Sequence, residues 1–335
     1  MKNERAFQED IHVFRCIAIT LIVTMHSIEL LDWSKSGKPT YEFMNVIFGS
    51  MSILFFFISG YLFQHLSGKF EYKTYLQRKF NNVILPYIII SIPAIIVSVW
   101  IIPQDGMWDW FYTSPKWVQI LLFYATGKHL EPLWFVPAVT LIYLIAPLLL
   151  KIDRHPTAYW VIPLLLIVSV AIGRDGPTGP LQKAVYMLPA YMTGMFASHY
   201  GASLRPLLKR YTVPMLLALI VLYCVIRYDD PFAGTQSVFK ILLSIVIWVA
   251  LDGVRSAPVF VNTIADLSFG IYFLHGYILA VTRLIFSHIF GVPNPFPGGV
   301  GLALLVSAIV LGLSVLAVRM VQMIFVVRSR QLIGV

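Results

Sequence analysis

The sequence predicts an all-α membrane protein, a polytopic bundle of about ten transmembrane helices with both termini cytoplasmic, and three observations carry that prediction. Of 335 residues, 58% are hydrophobic and 12% charged, too little polar surface to coat a soluble globule. Apolar runs near the 20 residues needed to cross hydrocarbon recur along the whole chain. The lysines and arginines fall in the short connections between those runs rather than on one module, which fits a topology signal and not a nucleic-acid surface. The two cysteines, Cys16 and Cys224, both lie in apolar stretches, so neither a disulfide framework nor a thiolate metal site is expected. No repeat, linker or low-complexity tract divides the chain, and residues 1–335 read as one integral membrane domain.

The opening MKNERAFQED carries Glu4, Glu9 and Asp10, which suit a signal peptide poorly, so the run at 12–32 is expected as a retained first span. Further spans follow at 44–66, 83–102, 132–151, 158–173, 183–200, 212–227, 236–252, 265–290 and 299–325. Each must be helical, because lipid cannot satisfy an open backbone; those at 158–173 and 212–227 are short. With this arrangement fifteen Lys and Arg residues lie on the side of the termini and eight on the other, which makes the terminal side cytoplasmic; the membrane is expected to be a bacterial inner membrane. The outer connection 103–131, with WDWFYTSPKWVQILLFY, is too aromatic for a free linker and is expected as an interfacial helix roofing a cavity.

Ionisable groups within spans are costly unless protein or water surrounds them, which makes them the informative positions. The first span holds Arg15 and His26. Eleven residues at about 100° each return them to within roughly 20° of one face, some 16 Å apart. Snorkelling and packing account for such a pair as well as function does. The chemistry that suits it is acyl transfer: neutral imidazole takes a hydroxyl proton as the oxygen attacks a thioester, while the arginine fork holds a phosphate or the acyl carbonyl.

Other positions carry the same two explanations. Ser59 with Gly60 allows close approach of a ligand or of a helix backbone, and Tyr61 offers a hydroxyl to an acyl oxygen or to the membrane interface. Arg78 and Lys79 suit the phosphates of coenzyme A or positive-inside anchoring. Glu131, with His129 before it and Trp134 after it, suits a sugar hydroxyl and a pyranose face, or a solvated loop edge. Ser268, Tyr272 and His275 share one helical face; interhelical hydrogen bonding explains the first two, and His275 is a secondary site candidate. No HExxH or HxxxH spacing points to zinc, and no metal is expected.

FRCIAITLIVTMHS, with ten residues between its arginine and its histidine, resembles the first-span signature of the membrane acyltransferase-3 family. FFFISGYL is similar to the family's aromatic run ending in Ser-Gly-aromatic, YLQRKFNNVILPY to its basic stretch before a proline, LWFVPAVTLIYLIAP to its Leu-Trp-Phe span, and LSFGIYFLHGYIL to its Ser/Tyr/His span. The blocks run in family order from about residue 12 to 279, with Asn82 where many relatives carry a further arginine. The resemblance implies an enzyme with no permanently bound cofactor. Its donor would be acyl-CoA, usually acetyl-CoA, and its acceptor a hydroxyl of a surface polysaccharide or lipid-linked glycan, with Arg15 and His26 as the essential pair. Direct transfer and a transient acyl-histidine both fit these residues. A transporter or flippase of a lipid-linked sugar would also need ten spans and a polar cavity, and a catalytically idle sensor on the same fold is a third reading.

Overall fold

The computed structural model describes residues 2–174, 179–229, 234–289, 291, 295–326 and 328–335. It is a helix bundle in which sixteen α-helices are described. Helix α1 (Lys2–Ile28) is followed by α2 (Lys38–Phe48), α3 (Ser52–His65), α4 (Tyr72–Lys79) and α5 (Leu85–Trp100). Next come α6 (Lys116–Thr126), α7 (Phe135–Leu144), α8 (Ala146–Asp153), α9 (Val161–Ile172) and α10 (Pro180–His199). The chain continues through α11 (Gly201–Arg210), α12 (Thr212–Asp229), α13 (Thr235–Ala250), α14 (Val259–His288), α15 (Val300–Phe325) and α16 (Ser329–Ile333). One two-residue parallel pairing, β1 (Leu31–Asp32) with β2 (Phe296–Pro297), ties the connection after α1 to the one before α15.

Every predicted span is helical through most of its length, and residue 290, the expected end of the ninth, lies outside the described residues. Among the described residues, five helices are long and apolar enough to cross a membrane, or up to seven if two bent pairs each count as one span. Shorter apolar helices occupy 157–172 and 235–250. The bent pairs are α7 with α8, at 59°, and α11 with α12, at 75°. Pro147, at the start of α8, cannot donate a backbone hydrogen bond back into α7, and the bend falls there. The outward faces of α9, α12 and α15 expose Leu164, Ile167, Leu217, Ile220, Leu305 and Ile309, the apolar surface of an integral membrane protein.

The tightest packing joins α3 to α10. A Cβ on Gly60 would run into the Tyr191 backbone, and one on Gly194 into the Phe57 backbone. Each glycine therefore lets the other helix's main chain approach, the small-residue contact by which helices associate without a hydrophobic driving force. This is the structural role of the glycine in FFFISGYL. Between α2 and α3 the chain breaks at residues 49–51, where Ser50 has φ +57°. The fully buried Lys240 donates to the carbonyls of Val46 (2.7 Å) and Ile47 (2.6 Å), satisfying groups the break leaves without helical partners.

The connection 103–131 forms its own small core of Phe111 and Phe123 against Ile95 and Val99 of α5. Its helix α6 is the one expected there, but the connection roofs neither of the cavities described below. His129 within it is 1% exposed and its Nδ1 faces the Phe123 carbonyl at 3.1 Å, so it does not pair with Glu131. Burial pushes its pKa down to about 4.

Candidate active site

Helix α1 presents Arg15 and His26 to two different cavities. Arg15 lines a chamber of about 660 Å³ whose wall includes Ser59, Lys79, Asn82, Ser268, Arg319 and Arg330. Its guanidinium donates to Ser268 Oγ at 2.9 Å, so α14 fixes where the fork points. Lys79 stands over the rings of Tyr143 (4.6 Å) and Tyr75 (5.4 Å), cation–π contacts that offset part of the cost of burying its charge. The wall also contains Phe80–Ile84 in part, a π-helical turn joining α4 to α5 and carrying Asn82; such turns re-aim side chains where a regular helix would not.

His26 lies in a cleft of about 20 Å³ with Ser52, Trp134 and Arg174. It is 9% exposed, and its Nδ1 is 2.9 Å from Glu29 Oε2, one turn further along the chain. In the neutral imidazole, a Nδ1–H donated to that carboxylate makes Nε2 the acceptor nitrogen. The His275 ring is 5.4 Å from that of His26. His275 is fully buried, its Nδ1 faces the Ile271 carbonyl at 3.0 Å, and its Nε2 has no hydrogen-bond partner among the described residues.

Glu131 reaches the same place from a 3-10 turn, Glu131–Trp134. Its backbone is set by Gly127, whose φ of +71° ends α6, and a Cβ there would press into the Leu133 and Trp134 main chain. The Tyr272 hydroxyl bonds the Pro132 carbonyl and holds the turn from the opposite side. One ligand atom from each of His26, Glu29 and Glu131 lies within 4.8 Å of the others, a donor set able to hold a divalent cation as well as to share a proton. The ring of Trp134 is faced by Arg174 at 5.3 Å and Lys183 at 4.8 Å.

Of the residues singled out from sequence, Arg15, Ser59 and Lys79 meet at the large chamber, and His26, Glu131, Trp134 and His275 gather around the cleft. Two do not join them. Tyr61 is 2% exposed and packs its ring 6.0 Å from Trp248; two residues from Ser59 it is about 200° round the helix and cannot share that face. Arg78 is exposed and lines neither cavity, because one residue's rotation sends Lys79 inward and Arg78 outward. Three residues were missed. Glu29 was legible as the i+3 neighbour of His26. Arg319 and Arg330 carried no local signal beyond their share of the charge asymmetry.

Phe135 and Tyr272 line both cavities, and among the described residues no other is common to the two. Arg15 and His26 thus open on opposite sides of one aromatic wall. A cationic chamber and a histidine–carboxylate pair separated by a thin partition suit transfer of a small group from an anionic carrier to a hydroxyl.

No curated protein and no solved structure matches the chain. A family model does: the acyltransferase-3 model, described as an acyltransferase domain, matches residues 8–318. That match takes in α1 with both of its polar residues, the Glu131 turn and α14, so the chain belongs to the acyltransferase-3 family and is an integral membrane acyltransferase.

Proposed function

We propose that this protein is an O-acyltransferase that takes an acyl group, acetyl, from acyl-CoA entering the Arg15 chamber from the cytoplasm. It places the group on a hydroxyl of a surface polysaccharide or lipid-linked glycan at the His26 cleft. The observation that carries this reading is the shared wall: Arg15 and His26 face two cavities whose linings share Phe135 and Tyr272. Both termini are then cytoplasmic, as the charge asymmetry favours, and an envelope-glycan acceptor would place the protein in the bacterial inner membrane.

In the large chamber Arg15, Lys79, Arg319 and Arg330 supply four cationic side chains for the phosphates of the donor. With Glu29 on Nδ1, His26 Nε2 takes the proton of the acceptor hydroxyl. The oxygen attacks the thioester carbonyl, the C–O bond forms, and the C–S bond breaks with the thiolate leaving and taking up a proton on the donor side. The Glu29 carboxylate stabilises the imidazolium formed in the step. Glu131 orients the acceptor hydroxyl, and Trp134 lines the cleft beside it. Arg174 and Lys183, gathered at the same ring, favour an acceptor that carries negative charge.

The test is thiol release from acetyl-CoA by purified protein supplied with lipid-linked glycans extracted from the cell envelope, followed by mass analysis of the glycans. Release coupled to a fixed acyl mass increment on the glycan supports the reading. Absence of release, with glycan movement across proteoliposomes instead, would assign the cavities to transport.

A further inference from the structure

The wall between the two cavities has a geometry that bears on which acyl groups can cross it. Phe135 and Tyr272 are 6% and 4% exposed, and their ring centroids are 5.3 Å apart. Phe55 closes against each of them at 6.4 Å, and Phe56 backs Phe135 at 4.7 Å. The Tyr272 hydroxyl is bonded to the Pro132 carbonyl, which fixes its ring to the turn that carries Glu131 and Trp134. On the Arg15 side there is room for a large carrier, about 660 Å³; on the His26 side the space is about 20 Å³. A single water needs roughly 10–15 Å³ by this kind of measure.

We propose that Phe135 and Tyr272 are the specificity-determining residues for acyl length, restricting transfer to an acetyl-sized group. The inference rests on the acyl-CoA reading above. The reacting carbonyl must pass between these rings to come within reach of an oxygen deprotonated by His26. What lies beyond the carbonyl must then fit the cleft or push the rings apart. A methyl group fits. Each added methylene displaces an aromatic ring already packed against Phe55 and Phe56, and close-packed interiors resist added volume. One methylene misfitted in an apolar pocket changes kcat/KM by about 10- to 200-fold.

The experiment measures thiol release by the purified full-length protein with acetyl-, propionyl-, butyryl- and hexanoyl-CoA, in the presence of envelope lipid-linked glycans. The wild type is expected to lose at least tenfold in kcat/KM from acetyl to butyryl. Phe135→Ala is expected to raise the butyryl-to-acetyl ratio at least tenfold, and Phe135→Leu, which keeps an apolar core side chain should the alanine variant fail to fold, to raise it by a smaller factor. Tyr272→Phe, which keeps the ring but frees it from Pro132, is expected to relax the ratio while leaving acetyl transfer measurable. Equal kcat/KM for acetyl and butyryl in the wild type, or a ratio unmoved in a folded Phe135 variant, overturns the proposal and leaves the acyltransferase reading standing. Absence of release with every acyl-CoA overturns the donor assignment, and the length gauge with it.

Discussion

Glu29 Oε2 lies 2.9 Å from His26 Nδ1, with His26 in the last turn of α1 and Glu29 three positions on, just past its end. In the neutral ring the pair favours the Nδ1–H tautomer, which leaves Nε2 as the nitrogen with a free lone pair. Glu29→Gln keeps the size of the side chain but offers an amide to Nδ1, which allows the wrong tautomer. The expected outcome is a fall in kcat of about 10²- to 10⁴-fold with little change in donor KM, the pattern of a lost orienting carboxylate. Steady-state kinetics on the purified variant checks it, and an unchanged kcat would remove Glu29 from the mechanism.

The donor chamber makes a different prediction, because its cations act on binding. Arg330→Ala and Arg319→Ala should each raise the KM for acetyl-CoA by about 10- to 100-fold, as expected for a charge-assisted hydrogen bond worth roughly 1.5–3 kcal/mol. Arg78→Ala, altering an exposed neighbour that lines neither cavity, should leave KM within twofold. Competition with free coenzyme A separates the two classes. Equal effects of Arg78→Ala and Arg330→Ala would mean that general surface charge, not the chamber, attracts the donor.

Packing of α3 on α10 predicts a stability effect without chemistry. Gly194→Ala puts a methyl where the Phe57 backbone lies, and Gly60→Ala does the same against Tyr191. Each should cost about 1–3 kcal/mol, the usual range for overpacking, read as a lower melting temperature in detergent. Together they should cost less than the sum, since one helix displacement relieves both.

His129 predicts a pH dependence. Its pKa is lowered by burial to about 4, whereas in an unfolded chain it is near 6.5. Between those values the unfolded chain binds a proton that the folded one does not. Stability from this site is therefore complete above pH 6.5 and falls as pH drops toward 4, by about 3 kcal/mol at most. His129→Asn retains a donor toward the Phe123 carbonyl and does not titrate. Its melting temperature should fall less steeply between pH 6.5 and 4.5 than that of the wild type. Parallel slopes would show that His129 takes up its proton without opening the outer connection.

The helices were legible because burial in lipid forces helical hydrogen bonding on any long apolar run. The common face of Arg15 and His26 followed from helical periodicity alone, and the structure sets both toward protein-lined cavities. Periodicity also held the answer for Tyr61 and Arg78, since neither can share a face with the site residue beside it. What the sequence did not disclose depends on contacts between distant segments. Arg330 meets Lys79 only because α16 folds back against α5, some 250 residues away in the chain. Tyr272 reads as interhelical glue on its own helix, and its hydroxyl does bond a backbone carbonyl; its place in the wall between two cavities requires Phe135 from α7. The breaks at 49–51 and after Leu144 were invisible to hydropathy, which sums residues across them.

The most direct test of the central claim uses sealed inside-out vesicles containing the protein, with isotopically labelled acetyl-CoA outside and envelope lipid-linked glycan confined to the lumen. The account predicts labelled acetyl groups on the lumenal glycan with the wild type and none with His26→Ala inserted at the same level. Label on the glycan at an equal rate with His26→Ala, or no label on the glycan with the wild type, would contradict it.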